Sequence, residues 1–275
     1  MSASRPETTV VKAGSGGRVV VENAVVAPGA GPPLVAVSRE HSTVPLRRPM
    51  LYCLAREDES HVRRERDLNG DIRVGVFGGT FDPIHIGHLI VAEIMRFRLQ
   101  LAQVIFMPAG VPPHKPGRIV SASEHRVAML RISIGESSSF AISTIDLDRE
   151  GWSYTADSLR ILRNRISETS ELYFLMGQDS LRDFPTWNRP NLIAAQARLG
   201  VALRPGVEVS VAEIEHTVPE TRNRIDLVSI PLIGVSSTEI RANVRSGGPY
   251  RYQVLPGVAD YIRDHGLYLD VDERN

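Results

Sequence analysis

The sequence predicts an α/β fold: a Rossmann-like, doubly wound parallel sheet with helices on both faces. From Ile72 onward, short apolar runs alternate with segments of helical periodicity. The apolar runs are continuous, which is typical of strands that are covered on both faces. Two of them end in glycine, at Gly78-Gly79 and at Gly177. Ligands bind at the carboxyl ends of strands in such sheets, so these two ends are candidate binding sites.

Six apolar runs predict the strands of this sheet. Each is only four to six residues long and is dominated by aliphatic and aromatic side chains, as buried strands are. Pro108 and Gly177 close two of them, because neither residue continues a central strand well. The predicted strands are Arg73–Phe77, Val104–Met107, Phe140–Ile145, Leu172–Met176, Leu199–Leu203 and Leu227–Leu232.

Five segments between and after these strands predict helices, because their apolar residues recur three or four positions apart. Two of the segments begin at capping boxes, in which Ser121 pairs with Glu124 and Ser236 with Glu239. The last segment stops at Gly266, a typical helix terminator. The predicted helices are Ile86–Leu99, Ser121–Ile134, Thr155–Ile166, Thr238–Val244 and Val258–His265.

Residues 1–70 differ in composition from the rest of the chain. They carry six of the 18 prolines and a mixed charge cluster at residues 56–67, and their apolar runs are too short to build a core. Such a composition predicts a mostly disordered extension. A start codon assigned too far upstream would give the same pattern. The sequence thus divides into this extension and one folded domain at residues 71–275.

Composition and charge exclude several functional classes. Lys+Arg and Asp+Glu are equal at 32 each, which gives no support for nucleic-acid binding. Cys53 is the only cysteine, so no intrachain disulfide or cysteine-based zinc site can form. No apolar stretch approaches the roughly 20 residues needed to cross a membrane, and no secretory signal is evident. We therefore expect a cytoplasmic protein with no membrane partner; its oligomeric state stays open.

The most informative stretch is VGVFGGTFDPIHIGHLI at residues 74–90. Its glycine spacing does not fit the dinucleotide fingerprint, and the chain contains no P-loop or Gly-x-Ser-x-Gly elbow. His85 and His88 stand three residues apart at a predicted helix start, where free N–H groups and a partial positive charge attract phosphate. Gly78 and Gly79 allow backbone amides to approach the same ligand. The stretch therefore predicts a phosphate-binding site.

Two other interpretations of the histidine pair stay open from the residues alone. His85 could cap the helix while His88 packs in the core. A zinc pair is the second alternative, although no third ligand lies nearby in the sequence.

Two motifs together resemble a known superfamily. His85-Ile86-Gly87-His88 matches the (H/T)xGH motif, and VSSTEIR at residues 235–241 matches the (I/V)SSTxxR motif, of the nucleotidyltransferases related to class I aminoacyl-tRNA synthetases. Within that superfamily, residues 72–270 resemble the bacterial nicotinate-nucleotide adenylyltransferase family. The segments that carry this second resemblance are PPHKP at 112–116, SYTADSL at 153–159, GQDSLRDFPTW at 177–187 and PGVADYIRDHGLY at 256–268.

The resemblance implies a reaction. The 5′-phosphate of nicotinate mononucleotide would attack the α-phosphorus of ATP, releasing pyrophosphate and forming deamido-NAD for NAD biosynthesis. The attacking phosphate is already ionised at neutral pH, so positioning and charge neutralisation would carry most of the catalysis. Mg²⁺ is expected to accompany ATP, held by the substrate and water, since the sequence offers no dedicated carboxylate cage.

The resemblance also implies roles for individual residues. The implied catalytic residues are His85, His88, Lys115 and Arg241. The implied ATP-binding residues are Gly78, Gly79, Thr80, Phe81, His85, His88, Gly177, Asp179, Ser236, Ser237, Thr238 and Arg241. The implied nicotinate-nucleotide-binding residues are Gly79, Thr80, Lys115, Thr155 and Trp187.

Several of these residues have a plain structural alternative. Ser236 and Asp179 could be helix caps, Arg241 could lie on a solvated face, and Lys115 could be an ordinary exposed lysine. Trp187 could be a core or surface aromatic rather than a stacking platform for the pyridine ring.

Alternatives remain for the function as well. The protein could adenylylate nicotinamide mononucleotide or pantetheine phosphate instead, since related enzymes share both phosphate motifs. It could also be a nucleotide-binding regulator without catalysis, although the presence of His85, His88, Lys115 and Arg241 argues against that.

Overall fold

The computed structural model describes residues 8–13, 19–24, 72–110, 120–135, 137–149, 151–204 and 209–269. The chain divides into two units, Met1–Arg47 and Arg48–Asn275. In the first unit, strands β1 (Thr8–Ala13) and β2 (Val19–Ala24) form an antiparallel pair. The sequence pattern did not predict these strands. The disorder predicted for the rest of residues 1–70 concerns residues outside the described ranges and stays a prediction.

Six parallel strands form the sheet of the second unit, which confirms the predicted fold class. The strands are β3 (Arg73–Gly79), β4 (Gln103–Pro108), β5 (Phe140–Ile142), β6 (Glu171–Gly177), β7 (Arg198–Leu203) and β8 (Ile225–Ser229). Their order is β5-β4-β3-β6-β7-β8. The direction of winding reverses between β3 and β6, which creates a ligand-binding crevice at their carboxyl ends.

Eight helices cover the two faces of the sheet within the described part of this unit. They are α1 (Ile86–Arg98), α2 (Ser123–Ile134), α3 (Thr155–Arg163), α4 (Gln178–Asp183), α5 (Pro190–Gln196), α6 (Val211–Thr217), α7 (Ser237–Ser246) and α8 (Pro256–Asp264). Helices α3 to α6 share one hydrophobic cluster with the sheet, and α1, α2, α7 and α8 share the other. None of the described helices has the length and apolarity needed to cross a membrane.

Close packing of α1 against the sheet fixes the position of that helix. Met95 is fully buried, and a Cβ added to Gly200 on β7 would lie 2.8 Å from side-chain atoms of both Leu99 and Leu175. A side chain at residue 200 would therefore force α1 outward. Each buried side chain of the size of Leu or Met contributes about 1.5–3 kcal/mol to folding. The amino end of α1 is thus supported by a well-packed helix body.

Several element boundaries differ from the sequence predictions. Helix α2 begins after Ala122, because the Ser121 N–H donates to the carboxylate of Asp82 at 3.2 Å and Ser121 therefore stands outside the helix. Strand β8 ends at Ser229, three residues before the predicted end, and β5 ends at Ile142. One further backbone hydrogen bond follows each strand end, from the Ser143 N–H to the Phe106 carbonyl oxygen and from the Ile230 N–H to the Leu203 carbonyl oxygen.

Candidate active site

The carboxyl ends of β3 and β6 lie at the switch point of the sheet, where Gly177 is exposed. A Cβ on Gly177, at the end of β6, would meet nothing within 4 Å. At Gly79, the end of β3, a side chain would clash, because a Cβ there would lie 2.8 Å from the ring of Phe81. Phe81 as a whole residue is only 1% exposed, and its ring packs against Phe77 and Phe106.

The two histidines of the HxGH motif stand side by side at the start of α1. His85 is the extended N-cap residue, and His88 is the third residue of the helix. Their rings stack with centroids 3.7 Å apart and an angle of 26°. The His85 N–H donates to His88 Nδ1 at 3.3 Å. Because Nδ1 of a neutral His88 is the acceptor, its ring proton resides on Nε2, which can donate to a phosphate.

Both histidines are neutral at pH 7. Burial lowers the pKa of His85 from 6.5 to about 4. Burial, and next the neighbouring His85, lower the pKa of His88 well below 6.5. His85 Nδ1 is buried and has no hydrogen-bond partner among the described residues.

Gly87 allows this arrangement of the rings. A Cβ at this position would lie 3.0 Å from Cε1 and Nδ1 of His85 and 3.3 Å from Ile233. These distances are tighter than ordinary van der Waals contact, and His85 is too buried to move aside freely. The glycine of the motif therefore makes room for the His85 ring.

The second motif meets the first through direct hydrogen bonds. Ser237 Oγ, in the first turn of α7, donates to the carbonyl oxygen of Pro83 at 2.8 Å. Arg241 Nη1 donates to the carbonyl oxygen of Asp82 at 2.5 Å, and its Nη2 donates to Thr238 Oγ1 at 3.4 Å. The amino ends of α1 and α7 are thus joined, although the two motifs lie about 150 residues apart in the sequence.

Two of the structural alternatives can now be compared with the contacts. Ser236 is the N-cap of α7, since its side chain accepts from the Glu239 N–H at 3.2 Å. This contact leaves its phosphate-binding role as a prediction. Arg241 folds back onto the loop between β3 and α1, so the alternative of a purely solvated face is wrong.

Three polar residues beneath the site were not predicted from the sequence. Asp82 is 3% exposed; its Oδ2 accepts from the Ser121 N–H at 3.2 Å and its Oδ1 from the Tyr268 hydroxyl at 2.8 Å. Arg126 is 4% exposed and donates to the carbonyl oxygens of Thr80 (2.9 Å), Ala109 (2.8 Å) and Ser121 (3.1 Å). Arg126 therefore ties the carboxyl ends of β3 and β4 to the entry of α2. Burial lowers its pKa below the ordinary 12.5, and it stays charged at neutral pH.

Thr155 and Trp187, which are predicted to bind nicotinate mononucleotide, lie on two segments that one arginine joins. Thr155 is the first residue of α3, and Trp187 follows a short 3₁₀ turn at residues 184–186. Arg189 connects the two segments: its Nη2 lies 2.5 Å from Asp157 Oδ2, and its guanidinium lies 5.9 Å from the Tyr154 ring centre. Both regions therefore border the same part of the structure.

Trp187 is half-buried and contacts core aromatics. Its ring centre lies 5.9 Å from that of Phe174, edge to face, and 5.6 Å from that of Phe184. These contacts hold the indole in place while leaving part of it exposed. The core role and the stacking role are therefore compatible.

Of two further predicted site residues, the structure describes Asp179 but not Lys115. Asp179 is exposed in the first turn of α4, with its carboxylate 3.8 Å from Arg204 Nη1; Gly177, not Asp179, is the N-cap of that helix. Lys115 lies outside the described residues, and its predicted role stays a prediction.

The sequence of this chain is similar to those of several known proteins. Residues 76–243 match the cytidylyltransferase-like family. A probable nicotinate-nucleotide adenylyltransferase of Thermomicrobium roseum is 53% identical over 200 residues, which cover 73% of this chain and 93% of the relative. A protein of Roseiflexus sp. with the same description is 40% identical over 71% of this chain and 97% of its own length.

A solved structure supports the fold. The Plasmodium falciparum nicotinic acid mononucleotide adenylyltransferase complexed with APC superposes with a TM-score of 0.58 at 21% identity, covering 72% of this chain and 97% of that one. The two motifs meet at the switch point of the sheet, as the hydrogen bond from Ser237 to Pro83 shows. Together with the family match, this contact places the chain in the cytidylyltransferase-like class of nucleotidyltransferases. Within this class it is a member of the nicotinate-nucleotide adenylyltransferase family.

Proposed function

We propose that the protein transfers the adenylyl group of ATP to nicotinate mononucleotide, forming deamido-NAD and pyrophosphate in NAD biosynthesis. The observation that carries this proposal is the junction of the two phosphate motifs, made by the hydrogen bonds of Ser237 and Arg241 to the loop before His85. The 53% identical relative, described as a probable nicotinate-nucleotide adenylyltransferase, supports the same reaction.

The geometry supports a direct transfer between phosphates. A phosphate oxygen of nicotinate mononucleotide would form a bond to the α-phosphorus of ATP while the bond from that phosphorus to the β-phosphate oxygen breaks. Pyrophosphate then leaves with the bond's electron pair. The attacking phosphate is ionised at neutral pH because its second pKa is about 6, so no general base is needed.

The protein's contribution is to hold and neutralise the phosphates. Neutral His88 offers its Nε2–H without the cost of a buried charge, and Arg241 supplies a positive charge from α7. The partial positive charge at the starts of α1 and α7 adds to this field. We propose that Gly78, Gly79, Thr80 and Phe81 border both nucleotides, with Ser236, Ser237, Thr238, Gly177 and Asp179 on the ATP side.

The acceptor pocket is proposed around Thr155 and Trp187. The start of α3 supplies N–H groups suited to the nicotinate carboxylate, and the exposed part of the Trp187 ring suits stacking on the pyridine. Lys115 is proposed to reach the phosphates. A carboxylate-binding pocket would favour nicotinate over nicotinamide.

Adenylyl transfer usually needs a divalent metal ion, and we propose Mg²⁺. The described residues contain no cluster of three or more His, Cys, Asp or Glu side chains that could hold a metal ion. The triphosphate of ATP offers the hard oxygen ligands that Mg²⁺ prefers, so the ion would enter with the nucleotide. It would neutralise phosphate charge there. We also propose a cytoplasmic location, which suits a chain with a single cysteine.

The test is a comparison of acceptors at fixed ATP and Mg²⁺. Purified full-length protein is given nicotinate mononucleotide, nicotinamide mononucleotide or pantetheine phosphate, and pyrophosphate release is measured with product identification by chromatography. The expected result is a clear preference for nicotinate mononucleotide. Preference for either other acceptor would replace the proposed substrate, and nucleotide binding without turnover on any acceptor would favour a regulatory module.

A further inference from the structure

The loop at residues 80–84, between β3 and α1, determines where His85 and His88 stand. Arg241 and Ser237 hold this loop from the α7 side, through the carbonyl oxygens of Asp82 and Pro83. The Asp82 side chain points the other way, into the protein, and is only 3% exposed. A buried carboxylate is costly unless hydrogen bonds compensate it, so its partners decide whether the loop is stable.

Among the described residues, the carboxylate of Asp82 accepts two hydrogen bonds from distant parts of the chain, and it also interacts electrostatically with the buried Arg126 guanidinium. Ser121 N–H donates to Oδ2 at 3.2 Å, just before α2. The Tyr268 hydroxyl donates to Oδ1 at 2.8 Å, although Tyr268 lies 186 residues later in the sequence. Residue 82 is therefore the point at which the entry of α2, helix α7 and the segment after α8 all meet the phosphate-binding loop.

The backbone and ionisation of Tyr268 suit this contact. Tyr268 has a φ of 67°, a left-handed conformation that is unusual for a bulky residue and persists only where its surroundings hold it. Burial, followed by the neighbouring Asp82 carboxylate, raises the pKa of Tyr268 above its ordinary value of 10. The phenol therefore stays protonated at neutral pH and remains a hydrogen-bond donor.

We propose that Tyr268 and Asp82 are positioning residues: their hydrogen bond holds the loop before His85 in the geometry that adenylyl transfer requires. Neither residue touches the reacting phosphates; Tyr268 acts through Asp82, and Asp82 through the loop to His85 and His88. This inference rests on the proposed function. Misplacing a catalytic group by about 1 Å costs on the order of 100-fold in rate, so a smaller displacement of the loop gives a measurable loss.

The test compares two tyrosines of the same C-terminal region. Tyr268→Phe removes only the hydroxyl that reaches Asp82. Tyr261→Phe is the matched control, because the Tyr261 hydroxyl lies 3.0 Å from His125 Nδ1 and does not contact the loop. We expect Y268F to lower kcat about tenfold with KM for ATP within about threefold, and Y261F to leave both within about twofold of wild type.

A second variant tests whether Tyr268 acts through Asp82. Asp82→Asn keeps the size of the side chain, but its single amide oxygen cannot replace both carboxylate oxygens. We expect D82N to lose at least as much kcat as Y268F, and the double variant to lose no more than D82N alone. Independent, additive losses would overturn the proposal. If Y268F does not fold, the kcat of D82N alone tests whether the hydrogen bond positions the loop.

A spectroscopic measurement separates this proposal from the proposed function. In ¹H–¹⁵N spectra of the full-length protein, the ring resonances of His85 and His88 should move in Y268F and stay in place in Y261F. If nicotinate mononucleotide is not turned over, the proposed acceptor is wrong, and the ring shifts still test the positioning. If the wild type is active but Y268F matches Y261F in kcat and in ring resonances, the positioning proposal alone is overturned.

Discussion

The Arg241 guanidinium donates a 2.5 Å hydrogen bond to the carbonyl oxygen of Asp82, a residue 159 positions earlier in the chain. The same guanidinium contacts Thr238 Oγ1 at 3.4 Å, so one planar group joins α7 to the loop before α1. A single side chain thus carries positive charge to the crevice and also fixes the distance between two helix starts. These two contributions can be separated by substitution.

Arg241→Lys should impair the enzyme although it preserves the charge. A lysine ammonium is a point donor on a flexible stem and cannot reproduce the planar pair of contacts. We expect kcat/KM for ATP to fall about 10- to 100-fold and the unfolding free energy to fall about 1.5–3 kcal/mol, the value of a hydrogen bond to a charged group. Steady-state kinetics and urea unfolding measure the two effects. Arg222→Lys, at an exposed arginine, is the matched control; wild-type kinetics in R241K would contradict the argument.

His88→Ala should reduce turnover far more than ATP binding. The Nε2–H of neutral His88 is proposed to donate to a phosphate whose charge grows in the transition state. Removing one such donor costs about 100- to 1,000-fold in kcat in comparable sites. We expect KM for ATP to change less than about threefold. His216→Ala, at an exposed histidine, provides the control. Equal losses in kcat and ATP affinity would assign His88 to ground-state binding instead.

Gly87→Ala should disturb the His85 ring without touching any polar group. The new Cβ would lie 3.0 Å from that ring and 3.3 Å from Ile233, and the buried ring cannot yield without repacking. We expect kcat to fall at least about tenfold, despite the higher helix propensity of alanine. At Gly234 a Cβ would meet nothing within 4 Å, so Gly234→Ala is the control for adding one methyl group. An active G87A would mean that the exact position of His85 is unimportant.

The low pKa of His85 predicts a pH-dependent stability in the absence of ligand. Unfolded His85 binds a proton below about 6.5, whereas folded His85 does so only below about 4. The unfolded state therefore binds more protons in this window, and the unfolding free energy falls as the pH falls from 6.5 to 4. For His85 alone the full loss is about 3 kcal/mol, and His88 adds to it in the same direction.

Urea unfolding at pH 7 and pH 5 measures this dependence. His85→Asn removes the titrating ring, so the difference in unfolding free energy between the two pH values should shrink. His216→Asn, at an exposed histidine, should keep the wild-type difference. If H85N and wild type lose the same stability between pH 7 and pH 5, His85 is not a source of the pH dependence.

Local patterns predicted the sheet and the motifs, whereas the polar support beneath the site depends on contacts between distant residues. Continuous apolar runs and the spacing of His85 and His88 are visible in a short window of sequence. The bond from Tyr268 to Asp82 crosses 186 positions, and no periodicity records it. Arg126 adjoins Val127 on the buried side of α2, where a sequence pattern would place an apolar residue. Helices α4, α5 and α6 have only six or seven residues, too few for a periodic signal.

Deleting residues 1–70 should leave catalysis intact. Every described strand of the six-stranded sheet and every described site residue lies between residues 72 and 269. The Thermomicrobium roseum relative matches 73% of this chain with 93% of its own length, so a chain without a segment of this size belongs to the same family. We expect the shortened protein to keep kcat and KM within about twofold, because the residues of both described hydrophobic clusters remain. The comparison is made in one assay, with the full-length protein as control. A loss of kcat beyond about tenfold would mean that the first 70 residues contribute to the active site or to its folding, and the division of the chain at residue 70 would then be wrong.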